Sequence, residues 1–123
     1  MSESDGPVIV PLTHEHLAEW YGDEGRKPSI NGIAGFIGGK LVAVAGLFYM
    51  PGNVVAFCEL KEEARAHRLL IALTAARLLN KAKQRHKRII AMVDRAEPTA
   101  ERWLSRLGFE QESGDMWIWR TSV

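Results

Sequence analysis

The first apolar run of the chain is short and ends at a residue that often begins a helix. Residues 8–13, VIVPLT, predict a strand. Thr13 is a typical N-cap, because its hydroxyl can accept a hydrogen bond from a backbone N–H of the first turn, and it predicts a short helix over 14–21. The side chains expected to face the core from this helix are Leu17 and either Trp20 or Tyr21.

Glycine and proline divide the next apolar runs into strands. Gly38-Gly39 separates two runs between residues 30 and 50, and such a pair is typical of a hairpin turn because glycine adopts positive φ without strain. Pro51-Gly52 is typical of a type II turn, and another predicted strand follows it at 54–60. The first half of the chain is therefore predicted to be an antiparallel meander.

From Lys61 to about Gln84 the strand-like runs give way to a helical period. The segment has no glycine or proline, and the apolar residues that recur at helical spacing are Leu69, Leu70, Leu73, Ala76 and Leu79. The apolar run at 88–94 predicts a further strand. Because a crossover helix returns the chain in the same direction, the strands at 54–60 and 88–94 are expected to be parallel neighbours.

The chain is expected to end with a second helix and a hairpin. Pro98 or Thr99 would begin the helix, and Gly108 is typical of the residue that follows a helix end. Ser113-Gly114-Asp115 predicts the turn of the hairpin. The residues that share one face of its last strand, as core, dimer interface or pocket lining, are Trp117 and Trp119.

Composition narrows the class of protein without identifying it. The 123 residues are 46% hydrophobic and 25% charged with a formal net charge of +1, so the chain has no general attraction to nucleic acid or anionic membranes. The N-terminal segment lacks a secretory pattern, and no apolar run is long enough to span a bilayer. The single cysteine, Cys58, predicts a buried thiol in a reducing compartment. We therefore expect one cytoplasmic domain over residues 1–123.

The predicted order of elements resembles the GNAT superfamily of N-acetyltransferases over nearly the whole chain. At residue level the resemblance is strongest at 100–109, AERWLSRLGF, which is similar to the family's ending Ala-x-x-x-aromatic-x-x-x-Gly-Phe. The resemblance implies an α+β fold of the GNAT type. Its sheet would be mixed and mostly antiparallel, with a parallel strand–helix–strand unit at the centre.

The resemblance also implies an acyl-CoA site where the long helix begins. The family's signature, Gln/Arg-x-x-Gly-x-Gly/Ala, wraps the pyrophosphate with backbone N–H groups, and here it corresponds to residues 61–66, KEEARA, in which neither glycine is present. Glu62 and Glu63 would oppose a phosphate, whereas neighbouring basic side chains would attract it. We therefore expect binding of acetyl-CoA that is weakened but not abolished. The expected contact residues are Leu60, Lys61, Ala64, Arg65, Ala66, His67 and Arg68.

Glu59 is the candidate catalytic base, because relatives often carry a carboxylate at the end of this strand. The alternative for Glu59 is a solvated residue at a strand end. His67 is a second candidate base, with a surface histidine as its alternative. The tyrosine that many members use to protonate the leaving thiolate would fall at Leu104, and a frequent asparagine corresponds to Glu97. The implied reaction is transfer of an acetyl or short acyl group to an amine.

Two other classes of function remain open. A GNAT-like domain that has lost its cofactor would be a binding or structural module, and so short a domain would suit a phage or prophage protein. The basic run at 80–88 offers contacts to nucleic acid or to the 3′-phosphate of CoA. No aromatic residues interleave with its charges, however, and solvated charges at a helix end are the simpler explanation. The chain is expected to be a monomer or a small oligomer such as a homodimer.

No metal site is expected from the histidines near the N-terminus. His14 and His16 are two residues apart and do not share a helix face. Gly32, Gly35 and Gly38 fall three apart, but they lie in a predicted strand and hairpin. They therefore predict a weak or bulged strand, not a nucleotide-binding loop.

Overall fold

The structure is a computed structural model that describes residues 6–22, 29–93 and 99–121. Its seven strands are β1 Val8–Pro11, β2 Ser29–Ile37, β3 Lys40–Met50, β4 Asn53–Leu60, β5 Arg88–Met92, β6 Glu110–Ser113 and β7 Met116–Arg120. Its α-helices are α1 His14–Tyr21, α2 Arg68–Lys83 and α3 Ala100–Arg106, and a 3₁₀ segment at Glu62–His67 leads into α2.

The strands form a single mixed sheet in the order β1-β2-β3-β4-β5-β7-β6. Among the strands that the structure describes, only β4 and β5 run parallel, with Val55 opposite Ile90 and Ala56 opposite Ala91. The connection between them contains α2, as a crossover requires. The predicted α+β architecture with a central parallel strand–helix–strand unit is confirmed.

The local turn residues act as the sequence indicates. Gly38 and Gly39 have φ of 58° and 80° and close the hairpin between β2 and β3, and Gly52 has φ of 78° in the turn before β4. The predicted bulge is also present, since the register passes from Gly35–Ala43 to Phe36–Leu41 and leaves Val42 as an extra residue.

The two faces of the sheet carry different helices. On one face α1 packs through Leu17 onto a cluster that contains Leu41 and Val44. On the other face α2 and α3 pack through Leu79 and Leu104 onto a cluster that contains Leu47, Val54, Ala56, Ile89, Ala91 and Trp117. Trp119 packs against the same cluster. Of the three predicted roles for Trp117 and Trp119, the core is therefore the one that the fold supports.

The buried face of α2 differs from the predicted one. Leu69, Leu70 and Leu73 were expected to face the core, but they are 70%, 45% and 54% exposed. The residues that face the sheet are Ile71, Ala75, Leu79 and Ala82. Apolar spacing alone does not determine which stripe of a helix packs on the sheet, and α2 begins at Arg68, after a 3₁₀ segment, instead of at Lys61. Alanines at two of these positions, Ala75 and Ala82, also let α2 approach the sheet closely.

The ends of the shorter helices follow their predicted signals. Thr13 caps α1, because its side chain accepts from the backbone N–H of His16 at 3.2 Å. Gly108, with φ of 92°, follows the end of α3. Thr99 precedes α3, whereas the alternative start, Pro98, lies outside the described residues. No helix in the described part of the chain is both long and apolar enough to cross a membrane.

Candidate functional site

The sheet opens where β4 and β5 separate. Their described register contains the two pairs at Val55 and Ala56, after which the C-terminal part of β4 pairs with β3 alone. A strand whose neighbour diverges directs alternate backbone N–H and C=O groups into the space between the two. The residues of β4 beyond Ala56 therefore line an opening through the sheet with backbone hydrogen-bonding groups as well as side chains.

A cleft reaches this opening from each face of the sheet. The α2–α3 cleft has a volume of about 330 Å³ and lies between α2, α3 and the strands below them. The α1 cleft has a volume of about 540 Å³ and lies between Tyr21 of α1 and the strands on the opposite face. The residues that line both clefts are Ala56, Phe57, Cys58, Glu59, Met92 and Val93.

Glu59 lies at this opening and is held by two side chains of α1. The Trp20 indole Nε1–H donates to Glu59 Oε1 at 3.2 Å, and the Tyr21 hydroxyl donates to Glu59 Oε2. The cap at Thr13 fixes the start of α1, so the last turn of this short helix presents both donors at a defined position. Glu59 is therefore an oriented carboxylate, which differs from the alternative of a freely solvated strand end.

Burial and the contact with Glu59 together change the pKa of the Tyr21 phenol. Burial, then the hydrogen bond to Glu59 and the negative charge of Glu59, raise the pKa of Tyr21 well above its ordinary value. The hydroxyl therefore stays protonated near neutral pH and acts as a donor to the carboxylate. Sequence reasoning placed Trp20 or Tyr21 in the core, and it gave no signal that both would contact Glu59.

The structure separates the predicted acyl-CoA contact residues into two groups. Leu60, Arg65 and Arg68 line the α2–α3 cleft with Glu59, whereas Lys61, Ala64, Ala66 and His67 do not line it. Ala64 is 0% exposed and packs against Val42, Ala43 and Ile71. The small residue at this position therefore serves the packing of the 3₁₀ segment on the sheet.

Backbone and side-chain groups at the start of the 3₁₀ segment already have partners. The N–H of Lys61 donates to the carbonyl of Val42 at 2.8 Å, and the N–H of Ala64 donates to the carbonyl of Lys61 at 2.9 Å. The Lys61 ammonium lies 5.1 Å from the centroid of the Trp20 ring. These contacts direct the side chain of Lys61 towards Trp20 of α1.

Glu63 lies in the first turn of the 3₁₀ segment, within the residues that the resemblance aligns with the pyrophosphate signature. Its carboxylate pairs with Lys40 and accepts a hydrogen bond from its own backbone N–H. The hydrogen bond from Lys40 and that backbone bond lower the pKa of Glu63, so the carboxylate is charged at neutral pH. Glu62 pairs with Arg65 at 3.3 Å. A phosphate at the start of the segment would have to displace or accompany these two carboxylates.

Two further arginines line the α2–α3 cleft. Arg102 and Arg106 come from α3, one helical turn apart, and with Arg65 and Arg68 they make the cationic part of the lining. The sequence pattern does not mark them as lining residues, because a lining role depends on how α3 packs beside α2. Spacing at i and i+4 shows only that the two arginines share one helix face.

Cys58 is exposed, so the prediction of a buried thiol is wrong. The thiol lies in an apolar run, but β5 has diverged at this point and leaves the strand uncovered. Leu104, at the position of the family's tyrosine, is 5% exposed and lines the α2–α3 cleft, as does Trp103. Glu97 lies outside the described residues.

The second candidate base and the basic run at 80–88 lie away from the opening between β4 and β5. His67 precedes α2, makes no side-chain capping bond and lines neither cleft. Within the described residues, no three side chains of His, Cys, Asp or Glu form a group that could hold a metal ion. In the basic run at 80–88, Lys83 donates to the carbonyl of Leu107 and lies 5.3 Å from the ring of Trp119.

The fold is similar to that of several solved structures. Over 96% of both chains, the protein superposes with a TM-score of 0.66 and 13% identity on the ribosomal-protein-S18-alanine N-acetyltransferase from Escherichia coli. AAC(6')-Ib in complex with paromomycin and acetyl-CoA gives a TM-score of 0.55 and 13% identity over 94% of both chains. An uncharacterized protein from Bacillus halodurans gives 0.53 and 15% identity over 86% of this chain and 64% of the other.

The chain therefore has the fold of the GNAT acetyltransferases. No sequence model of a protein family matches it, and no curated protein sequence matches it. The likeness at 13–15% identity establishes the arrangement of elements. Activity has to be argued from the opening, the two clefts and the side chains that line them.

Proposed function

We propose that the protein transfers an acetyl or short acyl group from acyl-CoA to the nitrogen of an amine. The observation that carries the proposal is the opening between β4 and β5, which both clefts reach. A thioester in the α2–α3 cleft and an amine in the α1 cleft would meet there beside the carboxylate of Glu59. The neighbours support this reading, since one is named as an N-acetyltransferase and another contains acetyl-CoA.

The α2–α3 cleft has the chemistry that an acyl-CoA requires. Leucine, alanine and isoleucine side chains dominate its walls and suit the long, mostly apolar arm that ends in the thiol. The arginines of the 3₁₀ segment, α2 and α3 suit the phosphates, because a guanidinium binds phosphate oxygens in a bidentate manner. The contact set predicted from the sequence stays a prediction, in which Arg65 and Arg68 supply the charge.

The proposed reaction is direct attack within a ternary complex. Glu59 takes one proton from the ammonium group of the acceptor, and the nitrogen attacks the carbonyl carbon of the thioester. Backbone N–H groups of β4 beyond Ala56 donate to the carbonyl oxygen as it becomes negative. The C–N bond forms, the C–S bond breaks, and the sulfur leaves with the electron pair. The products are the amide, the free thiol and one released proton.

Protonation of the leaving sulfur needs no dedicated acid in this proposal. Leu104 has no proton to donate, so the second proton of the attacking nitrogen passes to the sulfur through water. The α1 cleft is open to solvent next to the reacting atoms, which provides such a route.

The direct test is an assay of the purified protein with acetyl-CoA and a set of primary amines. Thiol release and the mass of the acetylated amine are measured in the same reaction. We expect thiol release that depends on the amine, with one acetylated amine formed for each thiol. Thiol release at the same rate with and without amine, or no acetylated product with any amine, would contradict the proposal.

A second candidate function, a binding or structural module without catalysis, is favoured by one observation. Glu63 and Lys40 occupy the start of the 3₁₀ segment, where a pyrophosphate would otherwise bind. Thermal unfolding with millimolar acetyl-CoA separates the two functions, because ligand at a hundred times Kd adds about 2.7 kcal/mol of stability. An unchanged midpoint in the wild type, and also after Glu62→Gly and Glu63→Gly, would favour the module. Phage origin, cytoplasmic location and homodimer formation stay predictions.

A further inference from the structure

The α1 cleft is lined by aromatic and aliphatic side chains around one carboxylate. Phe48 and Phe57 stack with ring centroids 4.4 Å apart and an interplanar angle of 21°. Tyr21 and Met92 border the same space and are 46% and 59% exposed. Among the described residues that line this cleft, Glu59 is the only one with a charged side chain.

The position of the rings relative to the carboxylate limits the shape of an acceptor. Phe57 and Glu59 are two residues apart on β4, so their side chains leave the same face of the strand, about 7 Å apart along it. Phe57 belongs to the apolar cluster on the α1 face, and Glu59 receives its hydrogen bonds from α1. A ligand that contacts both therefore needs a cationic end and an apolar body joined by a short arm.

The charge of the lining limits the acceptor further. A single carboxylate attracts one ammonium group, and the faces of aromatic rings add cation–π attraction and stacking. The described lining offers no cation to pair with a carboxylate or phosphate on the ligand, and no second acid to pair with another amine. Lys61, the cation placed against Trp20, does not line this cleft.

We propose that the acceptor is a primary amine attached through a short alkyl arm to one apolar, ring-sized group, without a carboxylate, a phosphate or a second cationic centre. The amine is an acceptor only if the proposed function is correct, and in this respect the inference rests on that function. Binding of the amine to the α1 cleft, however, does not depend on acetyl transfer. Met92 borders the cleft with a flexible, polarisable side chain, which lets it adapt to rings of different shape.

The test is a titration of isotope-labelled protein with four amines in the absence of acyl donor, followed by NMR. The first probe, 2-phenylethylamine, has the ring, the short arm and one amine. Ethylamine lacks the ring, phenylalanine adds a carboxylate to 2-phenylethylamine, and spermidine has several cationic centres and no ring. We expect 2-phenylethylamine to bind at least about tenfold more tightly than each of the other three. Its largest amide shifts should fall in the parts of β3 and β4 around Phe48 and Phe57.

Two matched variants test the role of the rings. Phe48→Leu keeps an apolar side chain but removes the stacked ring from the α1 cleft, and it should weaken 2-phenylethylamine about fivefold or more without changing ethylamine. Phe36→Leu removes a ring on the same face of the sheet, where Phe36 contacts His16 and lines neither cleft. This control should leave both amines unchanged. Thermal unfolding of each variant shows whether it is folded.

The outcomes separate this inference from the proposed function. Selective binding of 2-phenylethylamine without acetyl transfer would support the inference and contradict the acetyltransferase. Acetyl transfer to ethylamine, phenylalanine or spermidine as efficient as transfer to 2-phenylethylamine would overturn the inference and leave the acetyltransferase standing. Absence of detectable 2-phenylethylamine binding, or equal effects of Phe48→Leu and Phe36→Leu, would also overturn it.

Discussion

Glu59 and Glu63 lie four residues apart on either side of the junction between β4 and the 3₁₀ segment, and they are held in different ways. Two uncharged donors of α1, the indole of Trp20 and the hydroxyl of Tyr21, orient Glu59. A lysine and a backbone N–H hold Glu63. The first carboxylate is held by donors that carry no charge, whereas the second is paired with the ammonium group of Lys40.

Under the proposed function, this difference would let the end of the junction at Glu59 support catalysis while the end at Glu63 opposes binding of the donor. Neutral donors fix the direction of a carboxylate without cancelling its attraction for an ammonium group, and they leave further lone pairs to accept a proton. The ion pair of Glu63 with Lys40 lies at the first turn of the 3₁₀ segment, the place proposed for the pyrophosphate. We therefore expect amine recognition to be intact and acyl-CoA binding to be weak.

The largest expected effect is on catalysis by Glu59→Gln. The amide keeps the shape of the side chain but cannot take a proton from the acceptor, so kcat should fall about a hundredfold or more. Affinity for acetyl-CoA should change little, because the substitution removes a step of the reaction and not a contact of the donor. Steady-state kinetics with both substrates varied gives the two values.

Glu63→Gln is the matched control for that experiment, since it makes the same chemical change four residues away. Turnover at saturating acetyl-CoA should be preserved in Glu63→Gln. If the two variants lost turnover equally, the contrast between the two carboxylates would be wrong, and Glu59 would have no special role in the reaction.

The next effect in size concerns the donors that orient Glu59. Tyr21→Phe removes the hydroxyl that donates to Oε2 and leaves the ring in the α1 cleft. Because a hydrogen bond to a charged group contributes about 1.5–3 kcal/mol, kcat should fall roughly tenfold or more. The KM for acetyl-CoA should be unchanged, and this split between kcat and KM is the measurement. Tyr49→Phe, which changes the other tyrosine of the chain, should leave both values at the wild-type level.

A smaller effect is expected at the other end of the junction. Glu63→Gln removes a charge that opposes phosphate and releases Lys40 as a further cation, so acetyl-CoA should bind roughly three- to tenfold more tightly. The midpoint of thermal unfolding at several acetyl-CoA concentrations reports the affinity. Glu110→Gln changes an exposed glutamate on β6 and should have no effect. Weaker binding in Glu63→Gln would show that this carboxylate supports the acyl-CoA site.

Features that depend on local sequence were predicted correctly. The hairpin at Gly38-Gly39, the cap at Thr13 and the helix end at Gly108 each follow from the chemistry of one or two residues. The parallel pairing of β4 and β5 also followed, because a glycine-free helix between two apolar runs leaves few other arrangements. The GNAT fold itself was predicted from the resemblance of this element order, and of residues 100–109, to that superfamily.

Features that depend on how elements pack together were not predicted. Leu69 and Leu70 belong to the apolar spacing of α2 but are exposed, because the face that packs on the sheet is the one that carries Ile71. The divergence of β5 exposed Cys58, although its sequence surroundings are apolar. The contacts of Glu59 with α1 join residues 38 and 39 positions apart. No rule of sequence spacing relates residues so far apart, so these contacts become visible only in the folded structure.

The smallest expected effect is on stability at alkaline pH, and it tests whether Tyr21 is held by Glu59 in the free protein. The pKa of Tyr21 is raised above its ordinary value of 10.0 in the folded state. As pH rises past that value, the unfolded chain loses the phenolic proton first, so unfolding becomes more favourable. At about pH 10.5 this loss is at most about 0.8 kcal/mol, and partial exposure of the ring reduces it further.

The measurement is the difference in unfolding midpoint between the wild type and Tyr21→Phe at neutral pH and near pH 10.5. The variant cannot ionise at this position, so the difference should shift by up to about 3 °C in its favour on going to the higher pH. Tyr49→Phe is measured in parallel and should show a smaller change, because Tyr49 makes no bond to Glu59. An equal change in both variants would mean that the Tyr21 hydroxyl is solvated, and Glu59 would then lose one of the two donors that distinguish it from Glu63.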